Sequence, residues 1–390
     1  VLRFLTAGES HGPSVTAILE GLPAGVPLAP ADVDRDLARR QQGFGSSGRM
    51  RIEHDHARIT GGVLAGRTTG APLALEIANL DHARWREREI APMTVPRPGH
   101  ADLTGALKYG YGDLRLALER ASARETAARV AIGAACRRLL AEFGVTVGSS
   151  VTAIGAVRAP PSDAPYEERF ALAEASPVRC ADPAASAAME AAIRAAMEAR
   201  DTLGGVFEIV ALGVPPGLGS HVQWDRRLGA LLAAAVMSIH ATKGVEIGDG
   251  FGLAAGLGTE LQDEVELEGE ALVRRSNHAG GLEGGITNGQ PVVVRAAMKP
   301  LSTTRRPLRS VDLAAGAPAD VVYERSDVCA VARAAVVGEA MVAFVLAGAL
   351  LEKLGGDSLD ELRPRFAALR QARLADLPMD NRPWRFDTGE

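Results

Sequence analysis

Apolar residues recur along the chain at two spacings, and each spacing marks a kind of element. Helical spacing is clearest over residues 124–143, where Val130, Ile132, Leu139 and Leu140 lie in an alanine-rich stretch that Gly144 stops. A second helix is predicted over 183–200, with Met189, Ile193 and Met197 at helical spacing; a methionine stripe of this kind is more often core than ligand surface. Two more, over 226–239 and 328–354, are apolar on most faces, which predicts helices covered on both sides in a buried middle layer.

Shorter β-rich runs, several of them alternating, occupy residues 14–19, 50–59, 206–212 and 292–297. They predict antiparallel sheets rather than strict βαβ alternation, and so an α+β chain. No GxGxxG stands between a strand and a helix, and no Walker glycine-lysine loop is present. Neither a Rossmann domain nor a P-loop is supported, so any phosphate must be held by another device.

Composition narrows the picture. With 47% hydrophobic residues in 390, the chain is expected to be soluble and globular, and with only 4% aromatics its core is expected to rely on helices that approach closely through alanine and glycine. Lysine and arginine total 43 against 48 acidic residues, so no positive excess favours nucleic acid or an anionic membrane, and any anion site must be local. Cys136, Cys180 and Cys329 are odd in number and in no metal-ligand spacing, which predicts free thiols in a reducing compartment, the cytoplasm, and no metal. Residues 1–6 lack the pattern of a leader, and Arg333 and Glu339 interrupt the most apolar later stretch, so neither signal peptide nor span is expected. One domain is expected over 1–377, followed by a polar tail at 378–390.

Candidate chemistry gathers in a few stretches. His11 lies between Ser10 and Gly12, where glycine lets a ligand come close, and His100 follows Pro98-Gly99 in a stiff turn; each is a structural or surface histidine on the bland reading. Residues 119–126, Glu-Arg-Ala-Ser-Ala-Arg-Glu-Thr, open the alanine-rich helix over 124–143, an end that attracts phosphate. Ser122 and Glu125 also read as a plain capping box, which leaves Arg120 and Arg124 unexplained. Residues 276–289 are too glycine-dense for a regular element and read as a loop whose backbone approaches a flat ligand or phosphate. Lys299-Pro300-Leu301-Ser302-Thr303 offers a cation and two hydroxyls at a strand end, Asp327 could cap the last long helix or act as acid or base, and Arg40 and Arg49 bracket a glycine-rich loop suited to an anion.

In order and in approximate spacing, the stretches GESHG, RPGHAD, ERASARET, SNHAGGLEGGITNG, MKPLST and RSDVCAV resemble chorismate synthase, as do the sequences between them, so the resemblance covers nearly the whole chain. It implies a layered β-α-β sandwich with a central layer of long helices between two antiparallel sheets, a homotetramer, and anti 1,4-elimination of phosphate from 5-enolpyruvylshikimate 3-phosphate with reduced FMN and no net redox change. It implies flavin contacts at Arg120, Ala121, Ser122, His240, Ala241, Gly284, Lys299, Pro300, Leu301, Ser302, Thr303 and Arg325. Substrate anions would meet Arg40, Arg49, Arg124 and Arg325, with Ser122 touching both ligands. His11 matches the residue beside the departing phosphate, His100 the one that protonates or hydrogen-bonds the flavin, and Asp327 a carboxylate near flavin N5. The chain departs from the family at Ser46, where many relatives have arginine, at Phe44, where tyrosine is frequent, and at His240, where some have asparagine. Substrate or pyridine-nucleotide contacts at the first two are thereby in doubt, whereas a backbone contact would serve at His240. The sequence leaves open whether the chain reduces its own flavin with NADPH or depends on a separate reductase. The alternatives are an FMN-dependent oxidoreductase acting on an unsaturated acid and a non-enzymatic flavin- or phosphate-binding protein.

Overall fold

Alternation builds two antiparallel sheets. The first contains β1 (Arg3–Ala7), β2 (Ser14–Glu20), β3 (Ala57–Gly61) and β4 (Leu73–Ala78) in the order β1-β2-β4-β3. Val15, Ala17 and Leu19 of β2 and Leu73, Leu75 and Ile77 of β4 all reach one buried face, as a two-residue period requires. The second contains β5 (Thr146–Ile154), β6 (Val157–Arg158), β7 (Gly205–Leu212), β8 (Thr242–Ile247) and β9 (Val292–Met298) in the order β8-β9-β7-β5-β6. This computed structural model describes residues 1–46, 54–323 and 326–383.

The helices that matter for the site are α1 (Pro30–Gln41), α2 (His82–Trp85), α3 (Asp102–Tyr109), α4 (Arg115–Ala121), α5 (Thr126–Ala141), α6 (Pro183–Glu198), α7 (Leu228–Met237) and α8 (Val331–Leu354). Helix α5 packs on β2, β4 and α1 and also on α8, which in turn lies on β5 and β7. Small residues make that stacking possible. A Cβ added at Gly133 would lie 2.2 Å from the Ala340 Cβ, and one added at Gly338 would lie 3.0 Å from the Phe207 ring. The alanine and glycine content thus becomes helix packing at a distance that larger side chains forbid.

Differences from the expected elements have physical causes. The helix expected over 124–143 begins with a 3₁₀ turn at Ala123–Glu125 and continues as α5, with Gly144 beyond its end at φ 74°. The Ser122–Glu125 capping box does not form: the Ser122 hydroxyl accepts from the Arg124 N–H at 3.3 Å, while Glu125 accepts from the Thr6 hydroxyl and from Arg129. In α6 Met189 and Ile193 are fully buried but Met197 is 37% exposed, so the core stripe stops short of its end. Helix α7 is not covered on both sides. It buries Leu228, Leu232 and Val236 against β8, β9 and α8 and leaves Leu231 and Met237 exposed at 40% and 43%. The strand expected over 50–59 lies partly outside the described residues, and β3 begins only at Ala57. Helix α8 is long and apolar enough to cross a membrane, but 78% of its most apolar window is buried inside the protein.

The charges that interrupt α8 are internal. Glu339 is fully buried and accepts hydrogen bonds from Ser149 (2.6 Å), from both terminal nitrogens of Arg39 (2.8 Å each), from Arg179 (3.2 Å) and from Arg137. Burial alone would raise its carboxyl, but Arg39, Arg137 and Arg179 outweigh that and hold it down to about 2. A carboxyl depressed by folding stabilises fully above its ordinary range and loses that contribution as pH falls toward about 2. Glu339→Ala, which removes the fully buried carboxylate shared by Arg39, Arg137 and buried Arg179, is expected to cost about 3–5 kcal/mol in urea unfolding at pH 7. A cost below about 1 kcal/mol would show that the network is not a structural element.

Candidate active site

One cavity of about 710 Å³ gathers most of the stretches singled out above, though none of residues 276–289. It lies where the loop after β1, the segment before α3, the turn that opens α5, and the residues following α7 and β9 converge on the start of α8. The size is that of sites enclosing a small organic ligand. Leu118, Ile239, Met298, Leu301 and Val337 supply apolar wall, which flat ring systems require, and cations and hydroxyls stand among them.

His11 is held on two sides. Its Nδ1 lies 2.8 Å from Glu119 Oε1 and its backbone N–H donates to Glu119 Oε2 at 2.8 Å, while the Trp85 ring covers it at 4.2 Å between centroids. Burial would raise the Glu119 carboxyl, but the His11 ring and backbone bonds and the nearby Arg115 lower it, so it is a carboxylate at neutral pH.

His100 has a similar carboxylate in a different setting. Its Nδ1 lies 2.6 Å from Asp102 Oδ1, and Asp102 is fully buried. Asp102 also accepts from Arg97 Nε at 2.8 Å, Nη2 at 2.9 Å and the Arg97 backbone N–H at 3.0 Å. Burial works against this carboxylate, and the Arg97 and His100 bonds overcome it, holding it well below the usual range.

Arg40 and Arg124 share one buried carboxylate. Asp55 accepts from Arg40 Nη2 at 2.8 Å and from Arg124 Nη1 at 2.5 Å. Arg124 further donates to Asn79 Oδ1 at 2.6 Å and to the Ala78 carbonyl at 3.0 Å, and Arg40 to the Thr126 hydroxyl at 3.3 Å. Both arginines border the cavity, and Arg40 Nε has no hydrogen-bond partner among the described residues. Two guanidiniums against one carboxylate leave one positive charge beside the cavity, a local charge of the sign an anion would need.

Ser122 joins the loop bearing His11 through a 3.0 Å bond to the Ser10 hydroxyl. Lys299 Nζ and the Ser302 hydroxyl both donate to the Gly99 carbonyl, at 3.1 and 2.9 Å, and Thr303 accepts from Arg97 at 3.3 Å. The post-β9 segment is thereby tied to the turn carrying His100. Ala121, Ala241, Leu301 and Asp327 also border the cavity, and Asp327 accepts from Arg333. His240 stands between this cavity and a smaller one of about 400 Å³ bounded by Thr6, Arg120 and Arg129. Its buried Nδ1 has no partner among the described residues. Burial lowers its pKa, Glu125 opposes, and Arg129, His100 and Arg120 add to the lowering, so the ring is neutral at pH 7.

Some expected residues do not converge there. Arg120 turns away, donating to the Thr6 carbonyl (2.9 Å) and hydroxyl (2.7 Å), and borders only the smaller cavity. Gly284 sits at φ 59° in the tight turn between Leu282–Glu283 and Ile286–Thr287, near His221 and off the cavity. Pro300 is exposed and does not line it, its backbone nitrogen running close to Gly204. Arg49 and Arg325 lie outside the described residues. Phe44 lies under Arg194, 4.5 Å from its guanidinium carbon, and Ser46 donates to the Gly43 carbonyl. Sequence reasoning passed over Glu119, Asp102, Asp55, Trp85, Arg97 and Arg333. Two of these carboxylates stood inside stretches it had marked, but nothing local shows Asp55 meeting both arginines.

The family model described as chorismate synthase matches residues 2–351. The chain belongs to the chorismate synthase family. A chorismate synthase of Rubrobacter xylanophilus is 56% identical over 93% of this chain and 95% of the relative, and one of Aquifex aeolicus is 51% identical over 94% and 96%. A solved structure described as a crystal structure of chorismate synthase superimposes with a TM-score of 0.78 at 45% identity, covering 94% of this chain and 96% of that one. As a chorismate synthase the chain is a lyase of the shikimate pathway, and its α+β fold is that of the solved relative.

Proposed function

We propose that the 710 Å³ cavity binds reduced FMN together with 5-enolpyruvylshikimate 3-phosphate, and that an anti 1,4-elimination of phosphate there yields chorismate. The observation that carries this reading is the convergence of two carboxylate-bound histidines with an arginine pair that one carboxylate leaves positive. A flavin suits the apolar wall and the buried Nδ1 of His240, which has no partner among the described residues. The chemistry that reduced FMN would supply there, when bound, is electron density for the breaking carbon–oxygen bond, returned as the hydrogen departs.

The chain's own residues do the rest. Arg40 and Arg124, joined by Arg49 and Arg325, hold the phosphate and the carboxylates and stabilise charge as phosphate departs. His11 stands beside that phosphate, His100 hydrogen-bonds the flavin, and Asp327 supplies a carboxylate next to it. Ser122, Ala121, His240, Ala241, Lys299, Leu301, Ser302 and Thr303 hold the cofactor. Arg120 joins them only from beyond His240, and Gly284 and Pro300, further contacts that the resemblance implies, do not line the cavity of this chain. The stacking of α5 and α8 between the sheets supports the layered β-α-β arrangement over a single domain of residues 1–377. A cytoplasmic homotetramer, served by a separate flavin reductase or by NADPH, completes the reading.

Flavin spectra recorded anaerobically before and after turnover test the redox part. The flavin is expected to end reduced, as it began. Oxidation in step with product would instead favour an FMN-dependent oxidoreductase acting on an unsaturated acid.

A further inference from the structure

We infer that Glu119 is a positioning residue that fixes the His11 ring, keeping hydrogen on Nδ1 and presenting Nε2 to the ligand. This rests on the reading of His11 as the group beside the departing phosphate. Both Glu119 carboxylate oxygens are spent on one residue: Oε2 accepts the His11 backbone N–H and Oε1 meets ring Nδ1, each at 2.8 Å. The Glu119 carbonyl accepts the Ser10 N–H at 3.0 Å, so α4 grips the loop by its backbone as well. Those backbone bonds alone would hold the loop; the bond to Nδ1 adds control of the ring.

The ring is fixed by more than this one bond. Trp85 covers it at an interplanar angle of 40°, and the His11 carbonyl lies 2.9 Å from His82 Nδ1. Among the described residues nothing partners Nε2, and His11 lines the cavity. A carboxylate accepting from Nδ1 decides which ring nitrogen is available for chemistry, as orienting partners of histidines do elsewhere. The contrast with His100 is instructive. Asp102 gives three of its contacts to Arg97, whereas the Glu119 carboxylate is bonded to His11 alone among the described residues.

The test is a double-mutant cycle with Glu119→Gln and His11→Ala, measured with chemically reduced FMN. Glu119→Gln is expected to lower kcat roughly 10- to 100-fold, the range for outer partners that orient a histidine. Substrate KM and FMN affinity should move less than about threefold, and Glu119→Asp should recover part of the loss. In the His11→Ala background Glu119→Gln should cost nothing further, because its target is gone. An equal loss in both backgrounds, or normal kcat in Glu119→Gln, overturns the inference. Long-range proton–nitrogen NMR of the unsubstituted protein decides the case even if the variant fails to fold. The His11 resonance, assigned by its loss in His11→Ala, should show hydrogen on Nδ1 at every pH, and a neutral ring with hydrogen only on Nε2 overturns the inference. Failure of the unsubstituted protein to form chorismate would refute the functional reading itself, and so is distinct from these outcomes.

Discussion

Arg124→Ala is expected to reduce turnover at least about a hundredfold, the loss that follows removal of one donor aimed at developing charge. It should also lower stability. The Arg124 guanidinium reaches Asp55, Asn79 and the Ala78 carbonyl, and only 5% of the residue is exposed. Its removal leaves buried Asp55 with Arg40 alone among these two arginines, a change of the kind that costs about 3–5 kcal/mol when a buried ion pair is broken. Arg124→Lys separates the two effects: it keeps a charge near Asp55 but not the planar fork, so it should unfold later than the alanine variant while turning over slowly. Denaturant unfolding alongside steady-state kinetics checks both. Near-normal turnover in a folded Arg124→Ala protein would remove Arg124 from the anion site.

His11→Ala and His100→Ala are each expected to lower turnover about 10²-fold or more, the usual contribution of a positioned acid–base group, with fold and FMN binding preserved. The structure gives the reason for preservation. Without the His100 ring, Asp102 retains Arg97 through both side-chain nitrogens and the backbone; without the His11 ring, Glu119 retains the backbone N–H of residue 11. No buried carboxylate is left without a donor, so the penalty falls on chemistry rather than on stability. Normal kinetics in both variants, with circular dichroism showing intact fold, would take the histidines out of the mechanism.

Much of the fold was legible because local pattern determined it. The run of apolar and alanine positions ending at Gly144 became α5, and the alternating run after Pro13 became β2. Apolarity says how much of a helix could be buried, not how much is. That is why α7, with Leu231 and Met237 exposed, was expected to be covered. The histidines, arginines and hydroxyls around the cavity were legible as residue types in marked stretches, and resemblance supplied their roles. Their partners were not. Glu119 meets His11 across 108 positions and Asp55 meets Arg124 across 69, pairings between distant segments that only the tertiary fold creates. Ser122 and Glu125 failed in the opposite sense, since a matching local motif lost to a longer-range one when Thr6 and Arg129 took the glutamate.

The most direct test of the central claim is an anaerobic incubation of the protein with 5-enolpyruvylshikimate 3-phosphate and chemically reduced FMN, with chorismate and phosphate measured together over many turnovers. Equal release of the two is the predicted result. Tight binding of both ligands with no product would contradict it and make the cavity a binding site without chemistry.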